Sequence, residues 1–141
     1  MKPRFTFLLI LSFFIFSLTA KSQTSDWTPV FIDASGGHTK NGVEVYFKQS
    51  ACDADGVIFI RFVNTNSYPV SLEWYNAVFT QELAWIHKPE DIKTIIVPAS
   101  TTLEGTCTGE VMLVVNLSDF ISDPVQFKRL STTELLINAA N

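Results

Sequence analysis

Short runs of alternating apolar and polar residues constrain the fold of this chain more than any other sequence feature. The segments 43–48, 57–64, 70–75 and 111–117 each carry apolar residues at every second position. A period of two is typical of half-buried β-strands, whereas helices repeat at 3.6 residues. Turn-forming residues separate these runs, and no long helical periodicity appears between them. The sequence therefore predicts an all-β protein.

Additional β-rich segments bring the predicted total to seven or eight strands, and they lie at 27–32, 92–97, 101–107 and 125–138. The segment 81–91 could form either a loop or a short helical turn. Residues 133–137, within the last β-rich segment, could also form a helical turn. Parallel pairing needs long crossover connections, which this chain lacks. We therefore predict a single antiparallel two-sheet sandwich.

The first 22 residues are predicted to be a secretory signal peptide, which leaves 23–141 as a single sandwich domain. Lys2 and Arg4 precede a nearly unbroken apolar run, and small residues occupy the −3 and −1 positions of a cut after Ser22. The apolar run is shorter than the roughly 20 residues needed to span a bilayer. We expect a secreted or periplasmic protein that is not inserted in the membrane after cleavage.

Removal of this segment leaves a strongly acidic chain. Without Lys2, Arg4 and Lys21, seven of the ten basic residues remain against fourteen acidic ones, which gives a net charge of −7. Such a chain repels phosphate backbones and anionic lipid surfaces. We therefore expect neither nucleic acid nor a membrane surface as its partner.

Cys52 and Cys107 are the two cysteines of the chain, and an even pair in an exported protein predicts a disulfide. Neither a Cys-x-x-Cys motif nor an adjacent histidine favours a redox or metal role. Cys52 is out of phase with Val43, Val45 and Phe47, the expected core face of its strand. It must therefore turn inward at a bulge or at the end of the strand, so we expect the disulfide near one end of the fold.

Two features of the sequence resemble known proteins. Two cysteines with Trp74 between them are similar to the Cys…Trp…Cys spacing of immunoglobulin domains. The segments VEVYFKQSAC and VIFIRFVNTNSYPVSLEW resemble uncharacterised small exported β-sandwich proteins of Bacteroidota-type bacteria. This resemblance covers about residues 20–115 and implies an exported immunoglobulin- or fibronectin-like sandwich. It implies no activity and no site residue.

Residues that carry chemistry are few in this chain. His38 and His87 do not stand at a metal-ligand spacing, and Asp53-Ala54-Asp55-Gly56 is typical of a turn more than of a calcium loop. No nucleophile, phosphate or dinucleotide motif is present. We expect no catalytic residues, no cofactor and no metal. A glycosidase-like carboxylate pair could be drawn from Glu73, Glu82, Glu104 and Glu110, although the sequence does not place two of them together.

Two groups of residues are candidate binding elements. A polar turn offers a binding loop with Asn64, Asn66 and Tyr68, and an aromatic platform for sugars would use Trp74, Tyr75 and Trp85. A tryptophan in a strand is, however, more often part of the core. The sequence favours a non-enzymatic exported interaction domain whose partner is a protein or glycan of the cell envelope. The alternatives are a glycan-binding module that uses the aromatic residues, and a small hydrolase.

We predict that the exported protein begins near Gln23, because the signal-peptide pattern places the cut after Ser22. Mass spectrometry of the secreted or periplasmic protein should give the mass of residues 23–141. An intact N-terminus recovered in the membrane fraction would contradict this prediction.

Overall fold

The computed structural model describes residues 26–33, 35–50, 52 and 56–140. The predicted signal peptide and Asp53–Asp55 lie outside the described residues. In the described part the chain forms ten strands, namely β1 (Thr28–Pro29), β2 (Thr39–Lys40), β3 (Val43–Ser50), β4 (Val57–Asn64), β5 (Val70–Thr80), β6 (Trp85–His87), β7 (Lys93–Val97), β8 (Thr102–Glu104), β9 (Val114–Asn116) and β10 (Phe127–Ala139). Three-residue 3-10 helices lie at Val111–Leu113, Leu117–Asp119 and Pro124–Gln126. Over these described ranges, no helix is long and apolar enough to cross a membrane.

The strands form two sheets. In sheet A, β1 and β2 lie along one side of β3, β4 lies on its other side, and β8 and β9 pair with the far side of β4. In sheet B, β5 is central, with β10 on one side and β6 and β7 on the other. Three pairs of short strands each share one side of a longer strand, namely β1 with β2, β8 with β9, and β6 with β7. Each pair counts as one position, so the ten strands fill seven positions in the two sheets. Every strand pair in the described part is antiparallel, which confirms the predicted two-sheet sandwich.

The alternation of side chains predicted from the sequence builds the core. On β3, β4 and β5 the inward positions are buried, and they carry Val43, Val45, Phe47, Ile58, Ile60, Phe62, Val70, Leu72, Trp74 and Val78. Phe62 of sheet A and Trp74 of sheet B meet edge to face, with ring centroids 4.9 Å apart. An aromatic pair of this geometry adds about 0.5–1.5 kcal/mol to the stability gained from area burial.

The first segment of the domain crosses from one sheet to the other. Thr28 and Pro29 pair with β3, whereas Phe31 forms an isolated parallel bridge with Ser131 of β10. The carbonyl of Phe31 accepts hydrogen bonds from the Ser131 hydroxyl (2.6 Å) and from the backbone N–H of Thr132 (3.3 Å). Pro29 has no N–H to donate, which limits the ladder with β3. The strand predicted at 27–32 is therefore shorter than expected, and it ties both sheets together.

The later part of the chain is less regular than its sequence pattern predicts. The alternating run 111–117 is a strand only in β9, with 3-10 helices on both sides, and the strand expected at 101–107 is limited to β8. The ambiguous segment 81–91 contributes β6. A bulge replaces the helical turn considered at 133–137, because the β10–β5 register shifts between Thr133 and Leu136 and Glu134 has a φ of +54°. Such a bulge bends a long strand without ending its pairing.

The predicted disulfide is present and lies at one end of the fold. Cys52 follows the end of β3 and Cys107 follows β8, and their Cα atoms are 5.6 Å apart. Both strands belong to sheet A, where they flank β4. In immunoglobulin domains the disulfide joins the two sheets instead. The cysteine spacing is therefore similar to that of immunoglobulin domains, but the disulfide lies elsewhere. Here it joins two segments of one sheet and closes one end of that sheet.

We predict that the double variant Cys52→Ser, Cys107→Ser loses about 4 kcal/mol of unfolding free energy, because the bond closes a loop of 55 residues in the unfolded chain. Urea denaturation should show this loss, and the reduced wild type should match the variant. Thiol counting on denatured, unreduced protein should find no free thiol. Two titratable thiols would contradict the bond.

Candidate functional site

An open cleft of about 590 Å³ lies on the outer face of sheet B, and we call it the outer-face cleft. Its wall comes from the segment that crosses between the sheets, with Phe31, Asp33, Ser35 and Gly36. Its floor comes from β5, β6 and β10, with Phe79, Trp85, His87, Arg129, Ser131 and Thr133. Ligand pockets commonly measure about 300–1,000 Å³, so the cleft has the size of a small-ligand site.

Strand register brings the floor residues together around β5. Phe79 is paired with Trp85 of β6 on one side and with Arg129 of β10 on the other. Two pairs further along, and therefore on the same face, Ala77 lies between His87 and Ser131 and is fully buried. Directly paired residues in a sheet have Cβ atoms about 4.5–5.5 Å apart. Aromatic, cationic and hydroxyl groups from three strands therefore share one patch.

Aromatic rings form a continuous row on this floor. The Phe79 and Trp85 rings are tilted by 42°, with centroids 4.9 Å apart. His87 lies 6.3 Å from the Trp85 ring and 6.3 Å from the Tyr75 ring, measured between centroids. Trp85 is 39% exposed. An accessible indole beside polar groups presents a face on which a flat or apolar ligand surface can stack.

Two cations border the aromatic row. The Arg129 guanidinium carbon lies 4.8 Å from the centroid of the Phe31 ring, and the Lys128 ammonium lies 5.8 Å from that of Phe79. Cation–π contacts at these distances hold long side chains in place. Both residues are exposed, and within the described ranges neither has an ion-pair partner. This edge of the cleft is therefore positive in an otherwise acidic chain.

The wall of the cleft is held by one carboxylate. Asp33 Oδ1 accepts hydrogen bonds from the Ser35 hydroxyl (2.6 Å), the Ser35 N–H (2.9 Å) and the Gly37 N–H (3.1 Å). These bonds, that of the Ser35 hydroxyl above all, hold the pKa of Asp33 below its ordinary value. Gly36 has a φ of +81°, and a Cβ there would stand 3.2 Å from the Phe31 ring. Glycine thus lets this loop close over Phe31.

The aromatic platform proposed from the sequence must be corrected at Trp74. Trp74 is only 1% exposed, packs against Phe62, and donates its indole N–H to Asn76 Oδ1 (3.1 Å). Successive side chains of a strand point to opposite faces, so Trp74 and Tyr75 cannot share a platform. Tyr75 lies on the outer face of sheet B beside the outer-face cleft, and Trp85 lines that cleft.

Tyr75 borders a second, smaller cleft of about 120 Å³ that also contains Glu134. Desolvation raises the pKa of the Tyr75 hydroxyl, and the nearby Glu134 carboxylate raises it further. The bulge in β10 is the feature that places Glu134 there. Tyr75 therefore remains a neutral hydroxyl beside the aromatic row at physiological pH.

The proposed binding loop must be corrected at Asn64. This side chain is 1% exposed, and its Nδ2 donates to the carbonyls of Tyr68 (3.0 Å), Val97 (3.2 Å) and Pro98 (2.9 Å). Its Oδ1 accepts from the N–H of Asn66 (3.0 Å). Asn64 therefore fastens the β4–β5 turn to the β7–β8 turn. A buried residue with these bonds is a structural element and does not face a ligand.

The other two residues of that loop line a polar cleft of about 330 Å³ together with Asn41 and Asn138. Asn66 donates to the Asn41 carbonyl (2.9 Å), and Tyr68 is 49% exposed. Among the described residues, no charged side chain lines this cleft, and Tyr68 is its one aromatic residue. It offers less varied chemistry than the outer-face cleft.

The remaining candidate residues are dispersed. His87 belongs to β6 and not to a loop, whereas His38 packs against Tyr46 with centroids 5.4 Å apart. Glu104 forms an ion pair with Arg61 at 2.6 Å. Among the described residues no group of three or more His, Cys, Asp or Glu side chains could hold a metal ion. Phe79, His87 and Arg129 were not predicted from the sequence as binding residues. Alternation along β5 could have indicated Phe79, because it lies four residues after Tyr75 and therefore points to the same face of the sheet.

No family model and no curated protein match this chain. A crystal structure of a DUF1425 family member from Shewanella sp. pv-4 is similar, with a TM-score of 0.40 and 12% sequence identity. The similarity covers 81% of this chain and 98% of that chain.

We predict that Asn64→Ala lowers the unfolding free energy by about 2–3 kcal/mol, because it leaves buried carbonyls without their donor. Asn138→Ala is the control, since Asn138 is exposed on β10, and it should change stability by less than about 0.5 kcal/mol. Urea denaturation of the two variants measures the difference. Equal stability of both variants would contradict the structural role of Asn64.

Proposed function

We propose that this chain is a non-enzymatic exported binding domain and that the outer-face cleft receives its ligand. The observation that carries this proposal is the convergence of Phe79, Trp85 and Arg129 at one cross-strand row. Their side chains line an open cleft and are not part of the buried core. Exposed aromatic and arginine side chains in a concave site are characteristic of binding sites.

The hydrogen bonds in the cleft favour binding over catalysis. A hydrolytic site needs a nucleophile or base held by a bonded partner. In the part of the chain that the structure describes, His87 makes no side-chain hydrogen bond, and Asp33 Oδ1 is committed to its own loop. The Ser131 hydroxyl is likewise engaged, because it donates to the Phe31 carbonyl. These groups support the shape of the site.

The disulfide supports the exported part of the proposal. Such bonds persist in oxidising compartments, which agrees with the signal peptide predicted at 1–22. The resemblance to exported Bacteroidota-type sandwich proteins points the same way. The partner is accordingly sought in the cell envelope.

We predict that Trp85→Ala abolishes ligand binding while stability changes by less than about 1 kcal/mol, because this side chain is partly exposed. Ile96→Ala is the control, since Ile96 is 58% exposed on β7 of the same sheet but outside the cleft. The probe is a soluble digest of bacterial cell envelopes. The readout is the backbone amide resonance of Phe79 in every variant, together with the indole N–H resonance of Trp85 in the wild type and in Ile96→Ala, and buried Trp74 is the internal reference.

In this experiment the digest should shift the Trp85 resonance in the wild type and in Ile96→Ala, and the bound component should be recovered chemically unchanged. Shifts confined to Asn66 and Tyr68 would place binding in the polar cleft instead and overturn the proposed site. Conversion of the bound component into a product would overturn the non-enzymatic assignment.

A further inference from the structure

We infer that the ligand of the outer-face cleft is an acidic saccharide, a sugar chain that bears carboxylate groups. This inference rests on the proposed function, because it names the ligand class of the same cleft. Three features of the site carry it: the aromatic row, the cationic edge and the hydroxyl groups that line the cleft.

The aromatic row suits the apolar face of a sugar ring. The face of an indole or phenyl ring is negative, and the C–H groups on one side of a pyranose are weakly positive. Phe79 and Trp85 present two surfaces inclined by 42° to each other. A bent or twisted sugar chain matches two inclined surfaces better than a single flat molecule does.

The cationic edge selects a carboxylate among sugars. Arg129 and Lys128 stand side by side on β10 in a mature chain predicted to carry a net charge of −7. An anion is repelled by most of this surface, so local cations concentrate it at one place. The planar guanidinium of Arg129 also matches a carboxylate with two parallel hydrogen bonds.

The hydroxyl groups that line the cleft favour a saccharide over an aromatic acid. An aromatic carboxylate would use the rings and Arg129 only, whereas a sugar also brings hydroxyl groups. The hydroxyl oxygens of Ser35, Ser131 and Thr133 line the cleft and can accept hydrogen bonds from them. Asp33 adds a negative charge to the wall, whereas Arg129 adds a positive charge to the floor on β10. The ligand is therefore oriented, with its carboxylate towards Arg129 and away from Asp33.

The test compares two matched probes, a galacturonic acid trimer and the neutral galactose trimer, on the full exported protein. Binding is followed by the indole resonance of Trp85. Arg129→Gln should weaken binding of the acidic trimer about tenfold and that of the neutral trimer less than twofold. The control Lys93→Gln removes one positive charge from β7 of the same sheet, outside the cleft, and should leave both affinities within twofold.

A second pair of measurements tests the charges independently. Asp33→Asn keeps an oxygen acceptor for Ser35 and Gly37 but removes the negative charge, so it should strengthen binding of the acidic trimer and leave the neutral trimer unchanged. Raising the ionic strength from about 0.01 M to about 0.15 M shortens the screening length from about 30 Å to about 8 Å, and should weaken only the acidic trimer.

The outcomes separate this inference from the proposed function. Equal affinity for the two trimers, or an equal loss of both in Arg129→Gln, would overturn the acidic selectivity. Failure of both trimers while an envelope digest still shifts the Trp85 resonance would overturn the saccharide class but leave the binding function in place. If neither the trimers nor the digest shift that resonance, the proposed function itself fails.

Discussion

The rest of the structure depends on the alternation of inward and outward side chains along β5. Its inward side chains, among them Leu72 and Trp74, complete the core between the sheets. On its outward side, Phe79 lies in the cleft floor between Trp85 and Arg129 of the neighbouring strands. A shift of one residue would exchange the two faces. Core packing on one side therefore fixes which residues are available for binding on the other.

The segment that crosses between the sheets connects stability with the proposed site. Val30 is fully buried and donates its N–H to Val45 in sheet A, and the next residue, Phe31, bridges to β10 in sheet B. The same crossing places the loop at Asp33 over the edge of sheet B. The wall of the cleft is thus anchored at a buried residue, which allows an exposed site to keep a defined shape.

The sequence predicts the fold well because the alternation of apolar and polar residues can be recognised within each strand. It predicts the site poorly because the site depends on strand register, which no single strand reveals. Alternation identified the buried faces of β3, β4 and β5, and it also contains the reason that Trp74 cannot join Tyr75. Nothing local pairs Phe79 with Trp85 and Arg129, since that depends on where three strands align. Asn64 was similarly misjudged, because its partners Val97 and Pro98 lie more than thirty residues away. The disulfide could be predicted without register, from two cysteines in a chain that carries a predicted signal peptide.

The charge of Asp33 gives the proposed interaction a pH range. Hydrogen bonds lower the pKa of Asp33 in the folded protein, so they stabilise the loop fully above the ordinary pKa of an aspartate. This contribution is lost as the pH falls through the lower, folded value. A sugar carboxylate loses its charge in the same acidic region. The hydrogen-bonded wall and the charge of an acidic ligand are therefore both retained at neutral pH and both lost in acid, where protonation of Asp33 also removes its repulsion of that ligand.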